Sequence, residues 1–332
     1  MPVNTAFSTS IGITLILGTW LTFRGPRRMK ELIENLNSAQ KVFESLTLKS
    51  LNDGYKLKEI ERRKVNLLKL FLVILVSLLT FELWIVFQTG LSTKLTKHAA
   101  HLAGSNAVKE IIRVMLFCFG YLTMHSLNML FIFVVLEVHI LLQMMNQQLR
   151  ILSIEMKQTN TNVNIAMRFA PKTLRHLAML SISLSDQIRK LNSENGIFLI
   201  ITLLVSAMYF ELSSFSLIID FTDKENISLD ILLHVTRTAF NLASIVLLIE
   251  PCQWICTEMD VTKMLLNRIM YNIPSFAGWL ENELYIFFHL IHENEVCFSP
   301  LEFFVLGRPF IFKILGAVIS YLVIIFQFDV QA

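Results

Sequence analysis

Charge is what this chain has least of. Lys, Arg, Asp and Glu make up 17% of the 332 residues, against about 25% in an ordinary soluble domain, while hydrophobic residues reach 54%. The shortage comes in blocks. Residues 1–23 carry no charge, 114–136 hold a single histidine, and 314–328 are uncharged again. Glycine (11) and proline (7) are scarce too, and no Gly/Pro-rich low-complexity linker or second domain is visible. Chemistry-bearing motifs are missing as well. There is no Walker loop, no GxGxxG, no HExxH and no nucleophile elbow, and the eight histidines have no serine or cysteine partner at an informative spacing. Nothing argues for catalysis, so neither an enzyme nor a cofactor is expected.

What is present are apolar runs. A helix of about 20 apolar residues crosses the roughly 30 Å hydrocarbon core of a bilayer, and only helices or closed barrels satisfy their backbone there. The runs lack the alternation of barrel strands, so the fold class is all-α, a polytopic helical membrane protein. Six spans are expected, at 8–23, 66–88, 112–140, 196–219, 231–255 and 310–328. The first does not read as a signal peptide, since no basic residue precedes it.

Formal net charge is only +3, but its placement is uneven. Residues 24–65 hold Arg24, Arg27, Arg28, Lys30, Lys41, Lys49, Lys56, Lys58, Arg62, Arg63 and Lys64. Residues 144–194 hold Arg150, Lys157, Arg168, Lys172, Arg175, Arg189 and Lys190, and Lys263, Arg268 and Arg308 lie between the last two spans, with Lys313 at the start of the last. The alternate connections offer only Lys94, Lys97, Lys109 and Lys224. Lys and Arg favour the cytoplasmic side, so both termini are expected outside. The one acceptable glycosylation sequon, Asn226-Ile-Ser228, falls in a loop this topology also places outside. The basic loops then face anionic lipid, and no nucleic-acid partner is implied.

The connecting regions expected in the cytoplasm (24–65, 141–195 and 256–309) are patterned as helices. Leu32, Leu36, Phe43 and Leu46 recur at helical spacing, Leu177, Leu184 and Leu191 repeat every seven residues beside Leu174 and Ile188, and Leu284, Phe287, Phe288 and Ile291 share a face. The third span continues past the bilayer through Gln147, Leu149 and Leu152. Either these pieces form a cytoplasmic helical bundle, which the sevenfold spacing favours, or they lie on the membrane surface. Gly307-Arg308-Pro309 ends the preceding helix and starts the last span, and Pro251 sits where it would kink the fifth.

The four cysteines, Cys118, Cys252, Cys256 and Cys297, do not make an extracellular disulfide framework. Cys252 and Cys256, a helical turn apart, could meet a metal with His289 or His292, but the spacing fits no strong zinc pattern and packing thiols are the simpler reading.

Polar residues inside a membrane are costly and point to function. In the outer half stand Glu82 and Trp84, Tyr121 and His125, Tyr209 and Glu211, and His234, Arg237 and Asn241, from the second to fifth spans. They suit a ligand pocket open to the outside; the alternative is that Glu82 or Glu211 pairs with Arg237 while the others hydrogen-bond between helices. Glu137 and His139 fall near the cytoplasmic interface. In the last span, Ser320, Val323, Ile324 and Gln327 lie along one side, with Tyr321 and Phe328 turned toward another. Copies around an axis would form a narrow apolar tube ending in a ring of amides, which can gate by dewetting.

Ser320-Tyr321, five apolar residues, then Gln327-Phe328 resembles the C-terminal signature of insect gustatory receptors, in which threonine usually precedes the tyrosine. The resemblance extends upstream through LYIFFHLIHENEVCFSPLEFFVLGRPFIFKILGAVISYLVIIFQF, with Gly316-Ala317-Val318 where the family has glycine-alanine-valine. MNQQLRIL at 145–152 and LRHLAMLSISLSDQIRKLN at 174–192 are similar to the family's fourth-helix exit and the helix that follows. Taken as a whole, 1–332 reads as a single chemoreceptor-channel domain. The resemblance implies a seven-span, ligand-gated cation channel of four like or related subunits in the plasma membrane of chemosensory neurons. Its amino terminus would be cytoplasmic, its carboxyl terminus external, and its last span would line the pore. A small tastant and membrane lipid would be its partners. On this match the six segments correspond to the family's second to seventh, and the first is missing, by a misplaced start or a truly shortened, even non-functional, receptor. Gly307 and Arg308 stand where the family often has an acidic residue. Three other classes compete. An odorant-receptor subunit shares the architecture, a transporter would show an inverted repeat that is not visible here, and a G-protein-coupled receptor would place its carboxyl terminus inside.

Overall fold

A computed structural model describes residues 105–158, 163–222, 229–271, 278–294 and 296–329, together with eight helical residues between Glu34 and Thr80. The described residues are helical throughout, with short connections and no strand. The five long elements are α1 (Ser105–Gln158), α2 (Val163–Thr222), α3 (Leu229–Tyr271), α4 (Gly278–Glu293) and α5 (Arg308–Asp329), with a 3-10 turn at Pro300–Glu302 before α5.

Length sets the architecture. At 1.5 Å per residue, α1, α2 and α3 run for about 80, 90 and 65 Å, far more than the ~30 Å of a bilayer core. Each contains a stretch long and apolar enough to cross one, within His125–Ile154, Pro171–Ile218 and His234–Tyr271. Among the described residues these are the three spans that length and composition identify, and they include most of the segments expected at 112–140, 196–219 and 231–255. The 310–328 segment is α5. Those at 8–23 and 66–88 fall outside the described residues, save six helical positions from Asn66 to Thr80.

The three long helices pack through seams of alternating three- and four-residue steps. In α1 the buried seam includes Phe131, Val135, Val138, Leu142, Met145, Leu149 and Leu152. In α2 it includes Leu174, Leu177, Ser181, Leu184, Ile188 and Leu191. In α3 it includes Ile245, Leu248, Cys252, Ile255, Met259, Thr262, Leu266 and Ile269. This spacing puts one stripe of each helix against its neighbours. The centre is α3, which packs on α1, α2, α4 and α5. The leucine repeat of 174–191 is thus a true packing seam.

On α4, Leu284, Phe287 and Ile291 are buried and Phe288 packs beside them, as their spacing requires. Arg175 of α2 donates to Glu283 of α4 at 2.8 Å. The break at 307–309 is also present: Gly307 is a bend and α5 begins at Arg308. Pro251 lies within a continuous α3.

One polar cluster interrupts the seams. Asn146 of α1 is 2% exposed; its Nδ2 donates to the Glu258 carbonyl and to Glu258 Oε2, both at 2.8 Å. Its Oδ1 accepts from the Thr262 hydroxyl at 2.6 Å. A buried polar residue of this kind is costly to shift by one turn, so it pins the register of α1 against α3.

Candidate functional site

Two regions carry the chemistry, one between α1, α2 and α3 and one along α5. In the first, His125 of α1 is buried at 3% exposure, its ring meeting Phe240 of α3 edge-on with centroids 5.2 Å apart. Asn241, next to Phe240, is buried and donates through Nδ2 to the Arg237 carbonyl at 2.9 Å. Across from α3, Ser213 of α2 is buried, and the single Thr238 hydroxyl proton is shared between the His234 carbonyl at 2.8 Å and Ser213 Oγ at 3.1 Å. His125 and Asn241 therefore stand on the buried faces of adjoining helices.

Tyr209, Glu211, His234 and Arg237 are half-buried. Among the described residues no ion pair joins Glu211 to Arg237; a pairing of Glu82 with Arg237 falls outside them. The side chains of Glu82, Trp84, Tyr121 and Phe328 lie outside the described residues, as does Asn226.

Sequence reasoning missed several polar groups of this region. Asn128, one turn from His125, is buried, and its Oδ1 has no hydrogen-bond partner among the described residues. Thr202 and Ser206 of α2 are buried at 3% and 4%, and with Ser213 they form a polar stripe at helical spacing. Ser and Thr look unremarkable in an apolar run because they can satisfy themselves on their own backbone. Their burial side by side is what makes them visible.

The second region is α5. Ser320, Tyr321, Val323, Ile324 and Gln327 are all exposed in the single chain, with Tyr321, Val323 and Ile324 at 50%, 51% and 48%. Ser320 donates to the Gly316 carbonyl at 2.8 Å, within its own helix. Val318, on the side opposite Ser320, Val323 and Gln327, is buried. Ile319, Leu322, Val323 and Gln327, with Ile218 of α2, line an open apolar groove of about 550 Å³.

The two regions meet through α3. Glu250 of α3 accepts from Arg308 Nε at 2.8 Å and Nη2 at 3.2 Å, and Gln253 Oε1 accepts from the Arg308 amide at 3.4 Å. Gly307 leaves room for that bond, since a Cβ there would stand 2.5 Å from Gln253 Oε1 and displace the amide. Asn241 and Glu250 are nine residues apart on one helix, about 14 Å along its axis. No cluster of three His, Cys, Asp or Glu side chains converges on a metal position among the described residues.

Comparison with known proteins gives the family. No curated protein matches the chain by sequence. The structure is similar to that of the insect olfactory receptor OR5 from Machilis hrabei in complex with eugenol. The TM-score is 0.67 at 12% identity, covering 98% of this chain and 81% of that one. At that identity the likeness concerns the fold, and the match of residues 3–332 to the 7tm Chemosensory receptor family is of sequence. The chain belongs to the 7tm chemosensory receptor family.

Proposed function

We propose that this protein is a gustatory-type receptor subunit, a ligand-gated cation channel assembled from four chains, with α5 lining the pore. The observation that carries the reading is the face of α5. An apolar helix burying Val318 on one side and exposing Ser320, Val323, Ile324 and Gln327 on the other gains little as a lone subunit. Four copies turned inward would make an apolar constriction with an amide ring. The SYLVIIFQF ending, similar to the gustatory signature, favours that branch over the odorant one.

A tastant bound among His125, Asn128, Tyr209, Ser213 and Asn241 would act on α3, which also bears Glu250 and Gln253. A displacement of α3 reaches the start of α5 through those contacts. The ligand opens the channel only by binding the open arrangement more tightly than the closed one. The structure of OR5 with eugenol supports a small-molecule ligand for this fold. The basic loops support cytoplasmic connections and an external carboxyl terminus.

The test is assembly and current together. In mild detergent, four chains of 38.3 kDa each should be found by mass photometry. Expressed in cells, the chain should conduct cations in response to a panel of sugars, bitter compounds and amino acids, alone or with a related subunit. A stable monomer, with silent cells, would sink the channel reading; responses confined to volatile odorants would move the subunit to the odorant branch.

A further inference from the structure

Two asparagines lie on the buried side of α1, and only one of them has its oxygen paired. Asn146 donates twice to Glu258 and accepts from Thr262. Asn128 stands three residues before Phe131, in the same three-and-four spacing that runs on through Val135, Val138 and Leu142. It is 7% exposed, and its Oδ1 accepts no hydrogen bond among the described residues. A seam position calls for an apolar side chain. An amide held there with no donor for its oxygen is a standing cost to the fold, and its presence asks for a partner from outside the chain.

Contacts between the helices set what lies at its level. His125 meets Phe240, His139 meets Trp254 with ring centroids 5.6 Å apart, and Asn146 meets Thr262. These three contacts keep one register between α1 and α3, which sets Asn128 beside Ala243 and Ser244. The α2 helix runs the other way, with Ser213 against Thr238 and Asn192, further in, against Cys297. Ser206 of α2, buried at 4%, then comes within about 3 Å of the Asn128 level along the bundle. Asn241, Phe210 and Phe240 stand at a similar level and are all buried. Glu211 is also near this level, but it projects about 140° around the α2 axis from Ser206. The buried groups here are therefore amides, hydroxyls and aromatic rings, with no carboxylate on the same side.

Resting on the reading that a ligand binds between α1, α2 and α3, we propose that the site selects a neutral hydroxyl compound, an alcohol or a phenol, whose O–H donates to Asn128 Oδ1. The group left over is an acceptor, so only a donor completes it. An ether of the same shape fills the same space and leaves the oxygen unpaired, and a buried polar group left unpaired is what makes such a site discriminate. An ammonium ligand fits less well. A buried cation needs a carboxylate partner, none stands on this side, and the half-buried Arg237, one turn before Asn241, repels one. Phe210 and Phe240 suit the hydrocarbon part of the ligand, since aromatic faces offer area without asking for a hydrogen bond.

The experiment uses the purified full chain in mild detergent and two matched pairs of probes, para-ethylphenol with para-ethylanisole and octanol with heptyl methyl ether. Affinity is read from the concentration that half-completes the shift in thermal unfolding. In the parent the hydroxyl member of each pair should bind about tenfold more tightly than the ether. In Asn128→Leu the two members should bind alike; partition into the micelle is common to both proteins and drops out of the comparison. Without any probe, Asn128→Leu should unfold at a higher temperature than the parent, because an unpaired amide gives way to an apolar side chain of similar size. A lower unfolding temperature would show Oδ1 to be satisfied within the protein and overturn the proposal. The same preference in parent and variant overturns the hydroxyl requirement; if Asn241→Ala then weakens both members, the pocket between the helices stands without it. Failure of all four probes to bind overturns the ligand class, while the channel reading is decided separately by its own assembly and current.

Discussion

The guanidinium of Arg308, at the first turn of α5, makes two hydrogen bonds to the Glu250 carboxylate of α3, at 2.8 and 3.2 Å. A bidentate pair fixes direction as well as distance. It joins the helix that carries Gln327 to the helix that carries Asn241.

Removing this pair should alter gating more than stability. The side chain of Arg308 is 62% exposed and that of Glu250 is 22% exposed, and an exposed pair is worth about 0–1 kcal/mol. Glu250→Gln and Arg308→Ala should leave thermal unfolding in detergent nearly unchanged. Both should shift the concentration response of ligand-evoked current, by up to ~5-fold if the whole of that energy distinguishes open from closed. Combining Glu250→Arg with Arg308→Glu should recover part of the shift; no shift in any variant would mean α3 and α5 are not coupled there.

Gly307→Ala tests the same joint sterically. Its Cβ would meet Gln253 Oε1 at 2.5 Å, and the amide side chain can swing away at modest cost, giving up its bond from the Arg308 amide. A destabilisation of about 1 kcal/mol is expected in the parent and little in a Gln253→Ala background. Equal costs in both backgrounds would show that the clash lies elsewhere.

Asn146→Ala should destabilise the fold by about 1–3 kcal/mol, because Glu258 Oε2 loses a donor and the Thr262 hydroxyl is left with the Glu258 carbonyl alone. Thr262→Val, which removes one hydroxyl and keeps the shape, should cost less. Thermal unfolding of the two variants gives the order, and a reversed order would contradict the register role assigned to Asn146.

His125→Phe retains an aromatic ring against Phe240 but removes the imidazole nitrogens. Asn241→Ala removes an amide that otherwise bonds within α3. If these groups face a tastant, both variants should change the response to panel compounds while unitary conductance is preserved. Unchanged responses in both would place the ligand elsewhere.

Much of the inner packing was legible in the chain, and the reason is charge. Leu184 and Leu191 stand out because Asp186, Arg189 and Lys190 separate them, and Leu284, Phe287 and Ile291 stand out against Glu281, Glu283 and His289. The α1 seam is hidden by the opposite circumstance. Between Phe131 and Leu142 nearly every residue is apolar, since lipid and protein interior ask for the same side chains, and no period shows until packing separates one side from another. The buried Asn128, Thr202 and Ser206 were overlooked for want of charge. Glu250 and Arg308 join segments far apart in sequence, and no local spacing announces such a meeting. His289 and His292, weighed as metal partners for the cysteines, instead stack on Tyr285 and Phe288 of their own helix.

The central claim is that α5 lines the conducting path, and Gln327 tests it most directly. Single-channel recording of Gln327→Glu should show a larger unitary cation current than the parent, because a ring of carboxylates replaces a ring of amides. Concentration dependence for panel compounds should stay as it was. An identical unitary current in the two channels, with both assembled and responsive, would contradict the account.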